Sequence, residues 1–493
     1  MSEASEFDPY AMPPDALREP PPTLWKALRQ IGPGIILAGS IIGTGELLVT
    51  TGLGAEHGFV FLWLILLSCV VKVFVQVELG RYTISSGKPT LAALDDMPGP
   101  RWGANWQVWW WLGMLLLTVT QLGAMEGGVG QALHLLWPQG TDAMAASLEA
   151  VSPSLAQSVQ EHPDRPWALL TAIAATLLLL SGGYHRIEFV TTLLVAAVTL
   201  VTVGCVLALP FAGYPVTLAD WKEGFSFDIP LTGIAAAFSA FGITGVGASE
   251  LYAYPYWCLE KGYARYAGPR SSDSEWARRA HGWMRVLYLD AWVSMLVFTV
   301  ATVSFYVMGA TVLHRLQLHP EGDHMMEQLA QMYVEAFKHP WTKSLFLVGA
   351  CVVLFKTLYV ASAGHSRLSA DFLSLAKLVR YQDPGKRAHW MRFFCVFYPA
   401  LGLVLYLIFG DPHVMVVFGG FAQAATLPVI GAATIYLRYR RVDPRLAPSK
   451  FVDLFLWIAV AAVTVVAIYA IYQKMVEDVW PWLSSLFSGG AAS

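Results

Sequence analysis

Long apolar blocks, separated by short polar or basic stretches, fill the chain from Ile31 to about Lys474. Polar positions inside the blocks are too sparse to form a solvated helix face, which is the pattern of helices surrounded by hydrocarbon rather than water. A spanning helix needs about 20 such residues, and only a helix or a closed barrel satisfies its own backbone in lipid. Eleven blocks qualify: residues 31–56, 58–84, 106–136, 166–184, 187–211, 231–256, 286–312, 344–372, 391–410, 413–437 and 451–474. We number them segments 1 to 11. The predicted fold class is an all-α integral membrane protein of eleven transmembrane helices, with tails at 1–30 and 475–493 and no separate soluble domain.

Composition agrees with this pattern. Of 493 residues, 56% are hydrophobic and 14% charged, where soluble domains carry about a quarter charged residues. Nineteen tryptophans suit a protein with two interfacial aromatic belts. A net charge of -3 provides no basic field to gather nucleic acid, so that partner class is excluded. The expected partners are the lipid bilayer and a small ion or solute; nothing fixes an oligomeric state, and a monomer is compatible. The cysteines (Cys69, Cys205, Cys258, Cys351 and Cys395) are scattered without a C-x-x-C pair, and read as reduced core residues. No cofactor is expected beyond a possible transported divalent cation. No G-x-x-x-x-G-K-[ST] signature or catalytic constellation is present, so enzyme activity is not expected.

Lys and Arg resist translocation during insertion, so their distribution orients the segments. With a cytoplasmic N-terminus, twenty-four of the 32 basic residues fall inside, including clusters at Lys261–Arg285, Arg367–Arg392 and Arg438–Lys450, and six fall outside. An odd number of segments then places the C-terminus outside, in a multi-pass protein of the plasma membrane. The first 29 residues are Pro-rich and mixed in charge, and the first apolar run is too late and too Gly-broken for a cleavable signal. The external loop at 313–343 carries His314, His319, His324 and His339, which lack regular ligand spacing and read as solvated surface. The loop at 257–285 reads as a helix along the inner membrane face, anchored by Trp257, Trp276 and Trp283.

Two segments carry a repeated irregularity. Segment 1 contains Gly39-Ser40-Ile41-Ile42-Gly43-Thr44-Gly45-Glu46-Leu47-Leu48, and segment 6 contains Gly242-Ile243-Thr244-Gly245-Val246-Gly247-Ala248-Ser249-Glu250-Leu251. Each has clustered glycines, a carboxylate, then Leu. Five segments separate them, so the second half runs inverted relative to the first: repeats at 31–211 (segments 1–5) and 231–437 (segments 6–10), with 451–474 as one extra helix. Glycine lets a helix unwind, and unwound backbone at mid-membrane is tolerated only against a cavity. Freed carbonyls and half-helix ends there form a small-molecule or ion site. A charge at that depth is costly, so Glu46 and Glu250 need a cation, a proton or a lysine. The alternative is that the glycines serve close helix packing and the glutamates are structural. Lys72 and Lys356 lie mid-segment and are expected to face the interior and pair with a glutamate. His365 is a candidate proton relay, with a structural hydrogen-bonded histidine as the alternative.

Several stretches resemble the Nramp family of divalent-metal transporters: Gly32-Pro33-Gly34 and the broken motif, Gly52-Leu53-Gly54-Ala55, Phe61-Leu62-Trp63-Leu64 through Gln76 to Ser86-Gly87-Lys88, Gly183-Tyr184-His185-Arg186-Ile187-Glu188, Asp290, Arg392 and Leu427-Pro428. The resemblance implies a leucine-transporter-like inverted 5+5 fold and a secondary transporter moving a divalent metal by alternating access. Where the family has Asp-Pro-Gly-Asn this chain has Gly43-Thr44-Gly45-Glu46, and Met-Pro-His-Asn is replaced by Gly247-Ala248-Ser249-Glu250. The soft sulfur is gone, so an oxygen-only site for a hard cation such as Mg²⁺ or Mn²⁺ is expected from Glu46 and Glu250, with Thr44, Ser249 and unwound carbonyls. The family's histidine position reads Ser249, and Glu126 lies near its acidic pair in segment 3. Its segment 10 glutamine reads Gly420, with Gln423 close by. The breaks also resemble the wider amino-acid/polyamine/organocation superfamily. That leaves an organic solute such as an amino acid, or a non-transporting sensor or scaffold, as the alternatives.

Overall fold

The computed structural model describes residues 10, 16–150, 152–230, 233–318, 325–381 and 383–474. Tail residues 475–493, and His319 and His324, lie outside them. Helices occupy all eleven predicted positions. Among the described residues, eight are continuous and apolar enough to cross a bilayer: Leu62–Ser86, Trp106–Leu136, Tyr184–Ala212, Ser274–Leu316, Trp341–Leu375, Pro384–Phe409, Pro412–Arg440 and Lys450–Tyr469. Segment 1 is a bent pair, Pro33–Ile41 and Gly45–His57, at 46°. Segment 6 is Ile234–Ile243 followed by Ala248–Lys261, and segment 4 is the short helix Arg165–Ser181. This is a multi-pass helical membrane protein; its exposed large side chains, such as Leu200, Phe211 and Leu296, lie on these helices.

Segments 1 and 6 are enclosed by segments 2, 3, 5, 7, 8 and 10. The second half of segment 1 crosses segment 7 with backbones nearly touching. A Cβ on Gly309 would lie 2.2 Å from the Thr51 carbonyl oxygen, and one on Gly54 would lie 2.6 Å from that of Tyr306. Small residues at a crossing bring helices together where lipid offers no hydrophobic drive to do so. Both helices are locally underwound into wider π turns here, Gly45–Thr50 and Gly309–Leu313.

The predicted surface helix at 257–285 is not there. Segment 7 begins at Ser274 rather than near residue 286, and Trp257, Trp276 and Trp283 are buried. Their partners are protein, not headgroups: the Trp276 indole donates to the Gly268 carbonyl (3.0 Å) and that of Trp283 to Arg18 (3.0 Å). An amphipathic pattern marks an apolar face without saying whether lipid or protein covers it. The loop at 137–165 forms two helices, Pro138–Glu149 and Pro153–Glu161. In the histidine-bearing loop, His314 bonds the Ala55 carbonyl (2.9 Å) and His339 is exposed. Among the described residues no three His, Cys, Asp or Glu side chains are grouped to hold a metal, and all five cysteines are free.

Candidate substrate site at the two helix breaks

Backbone accounting shows how the first break is held. The Gly43 N–H would ordinarily bond the Gly39 carbonyl, but it donates to Glu46 Oε2 (3.1 Å), closing a loop within the motif. Two carbonyls, Gly39 and Ile42, are left without helical partners. Lys356 Nζ of segment 8 donates to both, at 2.9 and 2.5 Å, and Thr357 Oγ1 approaches both at 3.3 Å. Gly43 has no side chain because Thr357 fills the space; a Cβ there would sit 2.4 Å from its oxygen.

The second break repeats the arrangement. Lys72 Nζ of segment 2 donates to the Phe241 and Thr244 carbonyls at 2.6 and 2.7 Å, and Ser68 Oγ donates to the same two at 3.0 and 2.9 Å. Gly245 at φ +63° turns the chain out of the first half-helix, a conformation that suits glycine. Each break thus presents two carbonyls three residues apart, bridged by one ammonium and one hydroxyl. The C-terminal end of each half-helix, where the helix dipole is negative, faces a lysine amino group. This corrects the expected pairing: neither lysine lies within ion-pair distance of a glutamate among the described residues, because the freed carbonyls take the ammonium first.

A cavity of about 50 Å³ lies between the breaks, bounded by segments 1, 3, 6, 8 and 10. Of the residues singled out in the sequence, Thr44, Gly45, Ser249, Glu250, His365 and Gln423 line it. Glu250 is the one carboxylate among the described residues on its wall; its Oε1 accepts from Ser40 Oγ (2.7 Å). Gln423 Oε1 accepts the Ser249 N–H (3.1 Å), and Gln423 Nε2 donates to Gln121 (3.3 Å). Gly247 makes this approach possible, since a Cβ there would collide with both Gln423 and Glu250. The Ser249 hydroxyl and His365 Nδ1 have no hydrogen-bond partner among the described residues.

The other predicted residues lie elsewhere. Glu46 is fully buried outside the cavity, its second oxygen 3.3 Å from Thr302 Oγ1 of segment 7. The structure therefore does not bring Glu46 and Glu250 into one pocket: they point to different sides of the broken helices. Ala248 is buried at the start of the second half of segment 6, and Lys72 and Lys356 stand behind the breaks. Glu126 is buried in segment 3, and neither carboxyl oxygen finds a hydrogen-bond partner among the described residues. Ser40, Ser68, Gln121, Thr302 and Thr357 escaped the sequence reading. For Ser68 and Thr357 the available signal was a hydroxyl one turn from, or beside, an intramembrane lysine; Ser40, Gln121 and Thr302 had none.

Toward the end of the bundle rich in basic residues Trp257 lines the cavity, with the Arg367 guanidinium 4.5 Å from its ring centroid. Arg367 grips Glu260 through two bonds (2.6 and 3.0 Å), and Lys261 pairs with Glu188 (2.5 Å). Asp290 accepts the Gly32 and Gly34 N–H groups (2.8 and 2.7 Å) and the Tyr254 hydroxyl (3.0 Å), tying segments 1, 6 and 7 together. At the other end, the Tyr306 hydroxyl bridges the Gly58 carbonyl and the Phe61 N–H.

Two broken helices around a small central cavity, inside a bundle of membrane-length helices, define the class of broken-helix membrane transporters. The chain belongs to the Nramp family of metal-ion transporters: residues 34–473 match the family described as natural resistance-associated macrophage protein-like. No curated protein matches it in sequence. In structure it is similar to a mutant of the Eremococcus coleocola manganese transporter (TM-score 0.63, 16% identity, covering 97% of this chain and 91% of that one). It is also similar to MhsT in complex with L-phenylalanine (TM-score 0.54, 14% identity, 92% and 99%). A third is Mhp1, a nucleobase-cation-symport-1 family transporter, closed with bromovinylhydantoin bound (TM-score 0.50, 14% identity, 90% and 93%). At these identities the likeness is one of fold.

Proposed function

We propose that this chain is an eleven-span secondary transporter that moves a hard divalent cation, Mg²⁺ or Mn²⁺, by alternating access, with Glu250 as the carboxylate that receives it. One observation carries the reading: among the described residues one carboxylate, Glu250, faces a small cavity between the two breaks of a chain in a metal-transporter family. The donors nearest the breaks (Glu250, Ser249, Thr44, Gln423) are oxygens, and the Met125 thioether on the wall belongs to segment 3 rather than to either break. Mg²⁺ keeps several of its waters and is commonly held by one or two carboxylates, and Mn²⁺ also suits oxygen sites. A volume of about 50 Å³ has room for roughly three or four waters, which suits a partly hydrated ion better than an amino acid.

In this reading Glu46, Lys72 and Lys356 shape the breaks rather than touch the ion, and Glu126 and His365 are the candidate proton carriers. The basic end, with both the Arg367–Glu260 and Lys261–Glu188 pairs, faces the cytoplasm. The N-terminus lies on that side and the C-terminus outside, in keeping with the bias of basic residues. The direct test is cation binding to purified protein by calorimetry. Mg²⁺ or Mn²⁺ is expected to bind the parent, and Glu250→Gln to weaken binding by about 1.4 kcal/mol or more, tenfold in affinity. Failure of both ions to bind, with an amino acid binding instead, would overturn the metal reading.

A further inference from the structure

A second cavity, of about 200 Å³, lies between segments 5 and 8 on the flank of the bundle, away from the candidate substrate site. Val198 and Val201 form one wall, Phe346 and Gly349 the other, and Leu47 and Phe305 close its deep end. Val201 and the neighbouring Val348 are 41% and 51% exposed, and Leu200 beside them 74%. This rim belongs to the apolar stretches of two spanning helices, so the medium at its mouth is hydrocarbon. The two hydroxyls on the walls are engaged: Thr202 donates to the Val198 carbonyl (3.0 Å) and Tyr333 points at Met308 Sδ (3.6 Å).

A water molecule needs two to four polar partners and finds none free here among the described residues. An unfilled void would deprive its lining of dispersion contacts, at a cost that rises with volume. An apolar cavity of about 150 Å³ already takes up a benzene-sized hydrocarbon, so this one accepts several methylenes. We propose that the cavity binds the acyl chain of a membrane phospholipid, which enters between segments 5 and 8 and ends against Leu47. Leu47 follows Glu46 in the π turn of segment 1, so the chain end rests against the back of the first break. The bilayer itself supplies the ligand. The inference needs only that the protein sits in a membrane, and it stands or falls separately from the identity of the transported substrate.

The experiment uses full-length protein in vesicles of phosphatidylethanolamine and phosphatidylglycerol, the latter carrying a photoactivatable diazirine at the end of one acyl chain, with adducts mapped by mass spectrometry. Leu47 and Phe305 are buried, so a carbene reaches them only from a chain inside the cavity, whereas Leu200, exposed and off the cavity wall, reports the surrounding bilayer. Adducts on Leu47 and Phe305 are expected in the parent. Gly349→Phe, at a position where an added Cβ meets nothing within 4 Å, fills the cavity and should abolish those adducts while leaving the surface ones. Gly349→Leu serves as a smaller filling should the Phe variant prove unstable. Labelling confined to the surface in the parent, or adducts on Leu47 and Phe305 that survive filling, would overturn the proposal.

Discussion

Lys356 shows how one side chain holds an otherwise unstable piece of backbone. Its ammonium is the strong donor to the Gly39 and Ile42 carbonyls; without it they retain only the long contacts from Thr357. An unsatisfied buried carbonyl costs about 1–3 kcal/mol. Lys356→Met should therefore lower stability by about 2 kcal/mol or more, read as a fall in melting temperature of the purified protein. A variant as stable as the parent would show that the break does not depend on this lysine. The sequence marked both lysines as interior but assigned them the wrong partner. Mid-membrane placement is legible from the apolar run around a charge. Which acceptor the charge finds depends on carbonyls that become free only when a facing helix breaks. Glu46 and Glu250 show the same limit: their matching motif positions were plain in sequence, but not that one faces a cavity and the other segment 7.

At the level of elements, the crossing of segments 1 and 7 is fixed by two glycines. Gly309→Val places carbon against the Thr51 carbonyl, and overpacking of this kind costs about 1–3 kcal/mol. Gly52→Ala, on segment 1 but facing open space, is the control and should be neutral or stabilising, since alanine favours helix over glycine by up to about 1 kcal/mol. Equal melting temperatures for Gly309→Val and the parent would refute the close crossing.

The loop joining segments 10 and 11 offers a pH test. Asp443 accepts from the Arg445 side chain and backbone N–H and pairs with Arg270. These bonds, those from Arg445 foremost, pull its carboxyl down to about 2. A depressed acid stabilises the fold above its unfolded pKa of about 3.9 and loses that contribution as pH falls from there toward 2. Asp443→Asn should flatten the acid limb of the stability profile between those values, and an unchanged limb would show that the loop contacts carry no weight. Element positions were largely readable from hydropathy. The burial of Trp257, Trp276 and Trp283 was not, because amphipathicity alone cannot tell a lipid headgroup from the Arg18 carbonyl.

For the whole molecule, the two breaks bring half-helix ends, a carboxylate and a small cavity together at the centre of a bundle whose basic end carries the Arg367–Glu260 and Lys261–Glu188 pairs. The matching breaks of segments 1 and 6 were visible in two short motifs, since glycine clustering and a following glutamate survive in sequence. Gln121 and Ser40, which complete the cavity's polar wall, were not, because an isolated polar residue in an apolar run does not say which way it faces. The measurement that bears most directly on the account is uptake of Mg²⁺ and Mn²⁺ into proteoliposomes by the parent, Glu250→Gln and Glu46→Gln. We expect uptake by the parent, its loss in Glu250→Gln with the protein still folded, and a partial defect in Glu46→Gln, whose carboxylate holds the break without lining the cavity. Uptake undiminished in Glu250→Gln, or no uptake of either ion by a stable parent, would contradict it.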